Sequence, residues 1–326
     1  MLSVKTFFVS AMEKSTAFTQ KDGGDAFVLA HLSDPHLSSP AGVHPADLLN
    51  KRLLGYLSWC RRRRVHRMEV LDALLGDLSK KSIDHIAITG DLTYLGLPEE
   101  FRQVAHWLAS VGPPERVMVV PGNHDAYVAT SRRKTFDLWA PYMTGDGDTA
   151  VSTYPRLRVR GPIALIGLSS ARPSAPLLAV GSLGNEQLAR FEQILQQTGR
   201  RGLLRIVLIH HPPIAGSIAW RKRLMDAPLF AEVLKRQGAE LILHGHAHVP
   251  LFGSLSAAHQ EIPVFGVPSA SHIGFNPQRT SCYHRYHLHR ENGAWILGLT
   301  VRGYSHTTKQ FSTLQKREIP LPVFVP

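Results

Sequence analysis

Five short apolar runs in this chain each end in a side chain able to bind a metal ion, and no other feature restricts its fold so far. Phe27 to Leu32 leads into Ser33-Asp34, Ile86 to Thr89 into Gly90-Asp91, and Val117 to Val120 into Pro121-Gly122-Asn123-His124-Asp125. Ile206 to Ile209 leads into His210, and Leu241 to Leu243 into His244-Gly245-His246-Ala247-His248. An uninterrupted apolar run reads as a strand buried on both faces. Between these runs the helical period appears at 67–80, 98–110, 131–140, 185–198 and 227–237, as in Leu188, Phe191, Ile194 and Leu195. Strand and helix in alternation predict βαβ units, and open α/β sheets place ligands outside the carboxyl ends of their strands, so the five polar ends are expected to converge. Beyond His248 the stretches Ile262 to Val267, Tyr283 to His289 and Trp295 to Arg302 carry few helix signals. They are expected to form a second, more antiparallel sheet beside the first.

Asp34-x-His36 puts two ligand types on one strand-end turn, Asp91 offers two oxygens that can bridge cations, Asn123 a neutral carbonyl, and His210, His246 and His248 imidazoles. This is a mixed nitrogen and oxygen set without a thiolate. It suits Mn, Fe, Zn or Co better than Ca, and a pair of ions better than one tetrahedral zinc. The order Asp-x-His, Gly-Asp, Gly-Asn-His-Asp, His, Gly-His-x-His resembles the calcineurin-like metallophosphoesterase family over about residues 27–250.

That resemblance implies an α/β fold, a four-layer αββα sandwich of two mixed sheets flanked by helices. It implies two divalent or trivalent transition-metal ions, one held by Asp34, His36 and His248, the other by Asn123, His210 and His246, with Asp91 between them. In His210-His211-Pro212-Pro213 it makes the first histidine the ligand. It also makes His124 the histidine that protonates the leaving group while a metal-bound hydroxide attacks phosphorus, a task suited to a side chain titrating near neutrality. Gly90-Asp91-Leu92-Thr93-Tyr94 lacks the further Asp of the family's serine/threonine phosphatases, and Asp125 stands where they carry Glu, so a protein-phosphatase reading is disfavoured. What orients His124 stays open, with Asp125 one candidate.

Other polar residues have plainer readings. His284, His287 and His289 alternate as on a polar sheet edge, His244 reads as a strand end, and Ser33, Thr89 and Thr93 as turn hydroxyls, there being no Gly-x-Ser-x-Gly elbow.

A basic insert is expected at 47–67. Leu48, Leu49, Leu53, Tyr56, Leu57 and Cys60 lie on a helical stripe with Leu54 and Trp59 beside it, followed by Arg61-Arg62-Arg63-Arg64-Val65-His66-Arg67. Seven Lys or Arg face one carboxylate there, half of the net charge of 37 − 25 = +12. One reading is an interfacial element, with Trp59 at the headgroup boundary and Arg61, Arg62, Arg63 and Arg64 on anionic phosphates. The other is a core-packed helix with a solvated arginine run. Nucleic acid is a poor fit, because stacking aromatics are not interleaved with the arginines.

Of the 326 residues, 1–26 are expected to be an N-terminal extension, 27–305 the phosphoesterase domain and 306–326 a C-terminal tail. An apolar fraction of 44% and a charged fraction of 19% describe a chain that folds. No export signal and no run of eighteen apolar residues is read, and Cys60 and Cys282 make no disulfide framework. The expected location is therefore cytoplasmic or at the inner face of the membrane, and the oligomeric state is not legible. The function expected is a metal-dependent phosphodiesterase, similar to class III cyclic-nucleotide phosphodiesterases. The alternatives are a membrane-surface phosphohydrolase on a lipid-linked phosphate or pyrophosphate, resembling UDP-diacylglucosamine pyrophosphohydrolases, and a non-catalytic metal-containing binding module.

Overall fold

The computed structural model describes residues 26–37, 43–62, 64–148, 153–257, 260–274 and 279–324. In chain order its strands are β1 (Phe27–Leu32), β2 (His85–Ile88), β3 (Val117–Val119), β4 (Arg156–Arg160), β5 (Ile163–Gly167) and β6 (Leu204–Leu208). Then come β7 (Leu241–His244), β8 (Leu251–Ala257), β9 (Gln260–Gly266), β10 (Cys282–Glu291), β11 (Ala294–Ser305) and β12 (Gln310–Pro320). The α-helices are α1 (Arg52–Arg62), α2 (Met68–Leu78), α3 (Pro98–Val111), α4 (Ala140–Met143), α5 (Asn185–Arg200) and α6 (Ala227–Gln237).

The strands form two six-stranded mixed sheets, ordered β12-β11-β10-β1-β2-β3 and β4-β5-β6-β7-β9-β8. In the first, β1, β2 and β3 are parallel and β10 to β12 continue antiparallel; in the second, β5, β6, β7 and β9 are parallel between antiparallel edges.

Strand β1 shows why its run is apolar throughout. Phe27 and Leu29 join Met118, Leu165, Ile206, Leu243 and Leu297 in the core between the sheets. Val28, Ala30 and Leu32 point the other way, onto Leu71 and Leu74 of α2 and Phe101 and Val104 of α3. On the outer face of the second sheet, Val207 and Ile242 meet Leu188 and Phe191 of α5 and Phe230 of α6. Helices, sheet, sheet and helices make the four-layer αββα sandwich.

The second sheet differs from its expectation. The strands beyond His248 do not make a sheet of their own: β8 and β9 extend one sheet and β10 to β12 the other. The five strands of the metal-type motifs are likewise divided, three against two, because an apolar run fixes burial but not the neighbour across the ladder. Residues 310–320 of the expected tail form edge strand β12, and most of the expected N-terminal extension lies outside the described residues.

The insert also differs in detail. Of the predicted stripe, Leu53 and Leu57 face outward on α1 and Leu49 is exposed just before it, as is Leu54 beside the stripe, while Arg52 is buried. Tyr56 and Trp59 stack on each other and pack against Tyr94, Leu95 and Leu97, so Trp59 is half-buried against protein. Arg61 and Arg64 are exposed; Arg63 and the Arg62 side chain lie outside the described residues.

Candidate metal centre

The loops after β1 and β2 are stitched together by backbone bonds from Asp34 N to Gly90 O (2.9 Å), His36 N to Asp91 O (3.1 Å) and Leu37 N to Leu92 O (2.9 Å). Across the sheets, the backbone N–H of His246 donates to Asp34 Oδ2 at 2.9 Å; within the first sheet's loops, that of His124 donates to Asp91 Oδ1 at 2.7 Å. Such approaches leave no room for side chains at the intervening glycines. A Cβ on Gly122 would stand 2.2 Å from Asp91 Oδ1, and one on Gly245 1.8 Å from Ser33 Oγ. Strain gathers at the same place. Asp34, His36, Asp91, His246 and His248 are five of the eight non-glycine residues with positive φ among the described residues. Each costs of the order of 1 kcal/mol and persists only where its surroundings hold it.

Two clusters result. Asp34, His36, Asp91 and His248 have ligand atoms within 4.8 Å of one another, as do Asp91, His210 and His246, so Asp91 is shared. Asn123 Oδ1 lies 3.2 Å from His210 Nε2, on the second cluster. The structure thus brings together all seven side chains read from the sequence, nearly all of them buried; His248 is the most open.

The donor set fits cations. His36 gives its Nδ1–H to the Thr93 carbonyl (3.1 Å), His210 its Nδ1–H to the Thr89 carbonyl (2.7 Å), and His246 its Nε2–H to the Lys222 carbonyl (3.1 Å). A carbonyl can only accept, so each neutral ring turns a lone pair inward, as metal-binding histidines do. His210 Nε2 and His246 Nδ1 then face each other at 3.1 Å, and His36 Nε2 and His248 Nε2 at 3.2 Å. His248 Nε2 stands 3.0 Å from the buried Asp34 Oδ1. The opposed lone pairs of neutral His210 and His246 rings, and the buried carboxylates beside them, are satisfied by positive charge between them. Electrostatics agree. Burial opposes charge on His210, but the Asp91 carboxylate outweighs it and lifts the imidazole to about 9, so the position favours a positive charge, which either a proton on Nε2 or a metal ion can supply. Burial, with His124 and His248 nearby, holds His36 down to about 3.

His124 stands beside the first cluster, its ring 5.0 Å from that of His36. Its Nδ1–H donates to the Tyr94 carbonyl at 2.6 Å, which leaves Nε2 for a ligand and identifies what orients the ring. Asp125 does something else. It accepts from the backbone N–H groups of Leu92, Thr93 and Gly122 and from the Thr93 hydroxyl, bracing the Asp91 loop. Burial and Asp91 push its carboxyl up to about 7.

His211 spends both nitrogens, on Ser170 Oγ (2.8 Å) and the Ala179 carbonyl (3.2 Å), so it backs the site without opening onto it. His284 is buried against Phe252 and bonded to the Tyr286 hydroxyl, away from both clusters.

Sequence reasoning missed His66. Its ligand atom lies within 4.8 Å of those of His36 and His248. Its one trace in the sequence is a histidine closing an arginine run, which spacing cannot tell from a solvated residue.

The chain is similar to known proteins in sequence and in fold. Over 179 residues, 54% of this chain, it is 29% identical to a Synechococcus protein named as a probable cyclic nucleotide phosphodiesterase. The match spans 62% of that relative, less than two thirds of its length. A probable cyclic nucleotide phosphodiesterase of Vesicomyosocius okutanii is 25% identical over 181 residues, 55% of this chain and 68% of that one. In fold, a dimetal phosphatase from Danio rerio superposes with a TM-score of 0.54 at 15% identity, over 89% of this chain and 98% of the other. The family pattern of the calcineurin-like phosphoesterases matches residues 27–250, which span both metal-type clusters, and the chain belongs to that family.

Proposed function

We propose that the protein is a dinuclear metal-dependent phosphodiesterase. The observation that carries this reading is the pair of ligand clusters sharing Asp91, with an oriented, non-ligand histidine beside one of them. Asp34, His36, His248 and Asp91 would hold one ion, and Asn123, His210, His246 and Asp91 the other. When bound, such ions supply Lewis acidity, lowering the pKa of an attacking water and offsetting phosphoryl charge.

The remaining chemistry belongs to the chain. Water adds to phosphorus as the bond to the leaving oxygen breaks, His124 delivers a proton from Nε2 to that oxygen, and the proton lost by the water replaces the one His124 gave. Its Nδ1–H stays on the Tyr94 carbonyl throughout, which fixes the ring's aim. Two relatives named as probable cyclic nucleotide phosphodiesterases support a phosphodiester substrate, cyclic nucleotides first among them. The test is hydrolysis of bis-p-nitrophenyl phosphate and p-nitrophenyl phosphate by manganese-loaded protein, with a chelated control. Chelator-sensitive diester cleavage well above monoester cleavage is expected. Silence on both esters with both ions bound would refute the reading.

A phosphohydrolase acting at a membrane surface on a lipid-linked phosphate or pyrophosphate is the second reading, and one observation favours it. Leu53, Leu54 and Leu57 lie exposed on α1, which also carries the exposed Arg61, and the exposed Leu49 and Arg64 flank the helix. Apolar and cationic groups together suit an anionic bilayer. Sedimentation with phosphatidylglycerol vesicles tests it, and a protein left in the supernatant at low salt removes its support. No helix among the described residues is long and apolar enough to cross a membrane.

A further inference from the structure

We propose that His66, supplied by the insert, is a phosphoryl-contact residue at the first cluster; the inference rests on the phosphodiesterase reading above. His66 lies between α1 and α2, yet the fold builds it into the site. Arg67 N donates to Ser271 O at 3.0 Å and Ile273 N to Val65 O at 2.9 Å, so His66 stands opposite His272 in a short antiparallel pairing. The partner segment is tied in turn to the first motif. Ala270 N donates to Ser33 O at 2.8 Å, and Ser269 Oγ to Asp34 O at 2.7 Å. Asp34 and His66 are therefore fixed to two sides of one strip of backbone.

Position separates a contact residue from another metal ligand. The His66 ring lies 4.7 Å from that of His36 and 5.8 Å from that of His248. Its ligand atom clusters with theirs, but no cluster among the described residues holds His66 together with Asp34 and Asp91. Two ligands of one ion stand no further apart than twice a metal–ligand bond of about 2.1 Å. His66 thus sits one step outside the first set, within reach of whatever that set would bind.

Its anchoring gives the same answer. His36, His210 and His246 each hand an N–H to a carbonyl, which commits the other nitrogen to a lone pair. His66 Nδ1 meets hydroxyls instead, Ser271 Oγ at 2.8 Å and Ser269 Oγ at 3.3 Å. The Ser269 proton is used on Asp34 O, but Ser271 Oγ can donate to Nδ1, and Nε2 then carries the hydrogen. A donor there suits a phosphoryl oxygen and does not suit a cation. His272, opposite, accepts the Gly274 N–H on Nδ1 at 2.9 Å, so its neutral ring also carries its hydrogen on Nε2.

The experiment compares wild type, His66→Ala and His66→Gln. It measures metal content by elemental analysis, affinity of the manganese-loaded proteins for inorganic phosphate by calorimetry, and kcat and KM on bis-p-nitrophenyl phosphate. We expect two ions per chain in all three proteins. Phosphate affinity should fall about tenfold or more in His66→Ala, and His66→Gln, which keeps a donor, should recover part of it. Equal phosphate affinity in His66→Ala and wild type overturns the proposal, and so does loss of an ion from either variant, which would make His66 a ligand. If the metal-loaded wild type binds no phosphate and cleaves no diester, the phosphodiesterase reading fails and takes this inference with it. Thermal midpoints show that the variants are folded, and His66→Gln decides the matter if His66→Ala is not.

Discussion

Asp91 is the residue on which both clusters depend. One oxygen takes the His124 backbone N–H, the other lies 3.3 Å from His210 Nε2, and both clusters include the carboxylate. Asp91→Ala should empty both sites, measured as metal content, and lower kcat by more than the roughly 10–100-fold that loss of an outer-shell partner costs. A variant keeping two ions would show that the bridging assignment is wrong. His124→Ala should keep its ions but slow an alkyl diester by about 10²–10⁴-fold, and an activated aryl diester far less, because only the poorer leaving group needs the proton. Equal slowing of the two esters would contradict a general acid. Most of the centre was legible at this scale, since Asp34, His36, Asp91, Asn123, His210, His246 and His248 each follow an apolar run. The holder of His124 was not legible, because a backbone carbonyl such as that of Tyr94 has no signature in a sequence.

Among the elements, the short loop 94–97 links the insert to the catalytic candidate. Glu100 takes the backbone N–H groups of Tyr94, Leu95 and Leu97, the buried Arg52 of α1 takes the carbonyls of Leu95 and Gly96, and the Tyr94 carbonyl holds His124. Arg52→Ala leaves those carbonyls without their donor, and we expect a loss of about 2 kcal/mol in denaturant unfolding. A lower kcat with unchanged metal content should accompany it. The insert read as an arginine-rich helix in the sequence, and nothing there distinguishes the buried Arg52 from the exposed Arg61.

A second joint ties α2 to β11. Arg302 grips Asp77 through Nε (2.9 Å) and Nη2 (2.6 Å), and the Tyr283 hydroxyl donates to the same carboxylate. Burial alone would raise the Asp77 pKa, but these partners outweigh it and lower it. A carboxyl lowered on folding stabilises above its unfolded pKa of about 3.9 and loses that contribution as pH falls through the folded value. Asp77→Asn should therefore unfold at lower denaturant at pH 7, by about 1 kcal/mol, and the gap to wild type should close below about pH 4. A gap that persists in acid would assign the effect to packing.

At the scale of the whole molecule, the centre lies where two sheets meet, and metal should hold them together. Five residues in left-handed backbone and several inward-facing nitrogens are tolerated there, so the metal-loaded protein should melt well above the chelated one. Free manganese at a hundred times its Kd would add about 2.7 kcal/mol. Coincident melting curves, with binding verified, would show that the loops are held by protein contacts alone. The sequence by itself determined the strand–helix alternation, the apolar faces of both sheets and the side chains able to bind metal, because burial and ligand chemistry are written residue by residue. Tertiary structure alone decided which sheet each motif strand joined, that β8 to β12 were shared between the sheets, that the leucines of α1 stayed outside while Arg52 went in, and that His66 came to lie beside His36 and His248. These depend on contacts between residues far apart in the chain, and neither local pattern nor spacing encodes such contacts.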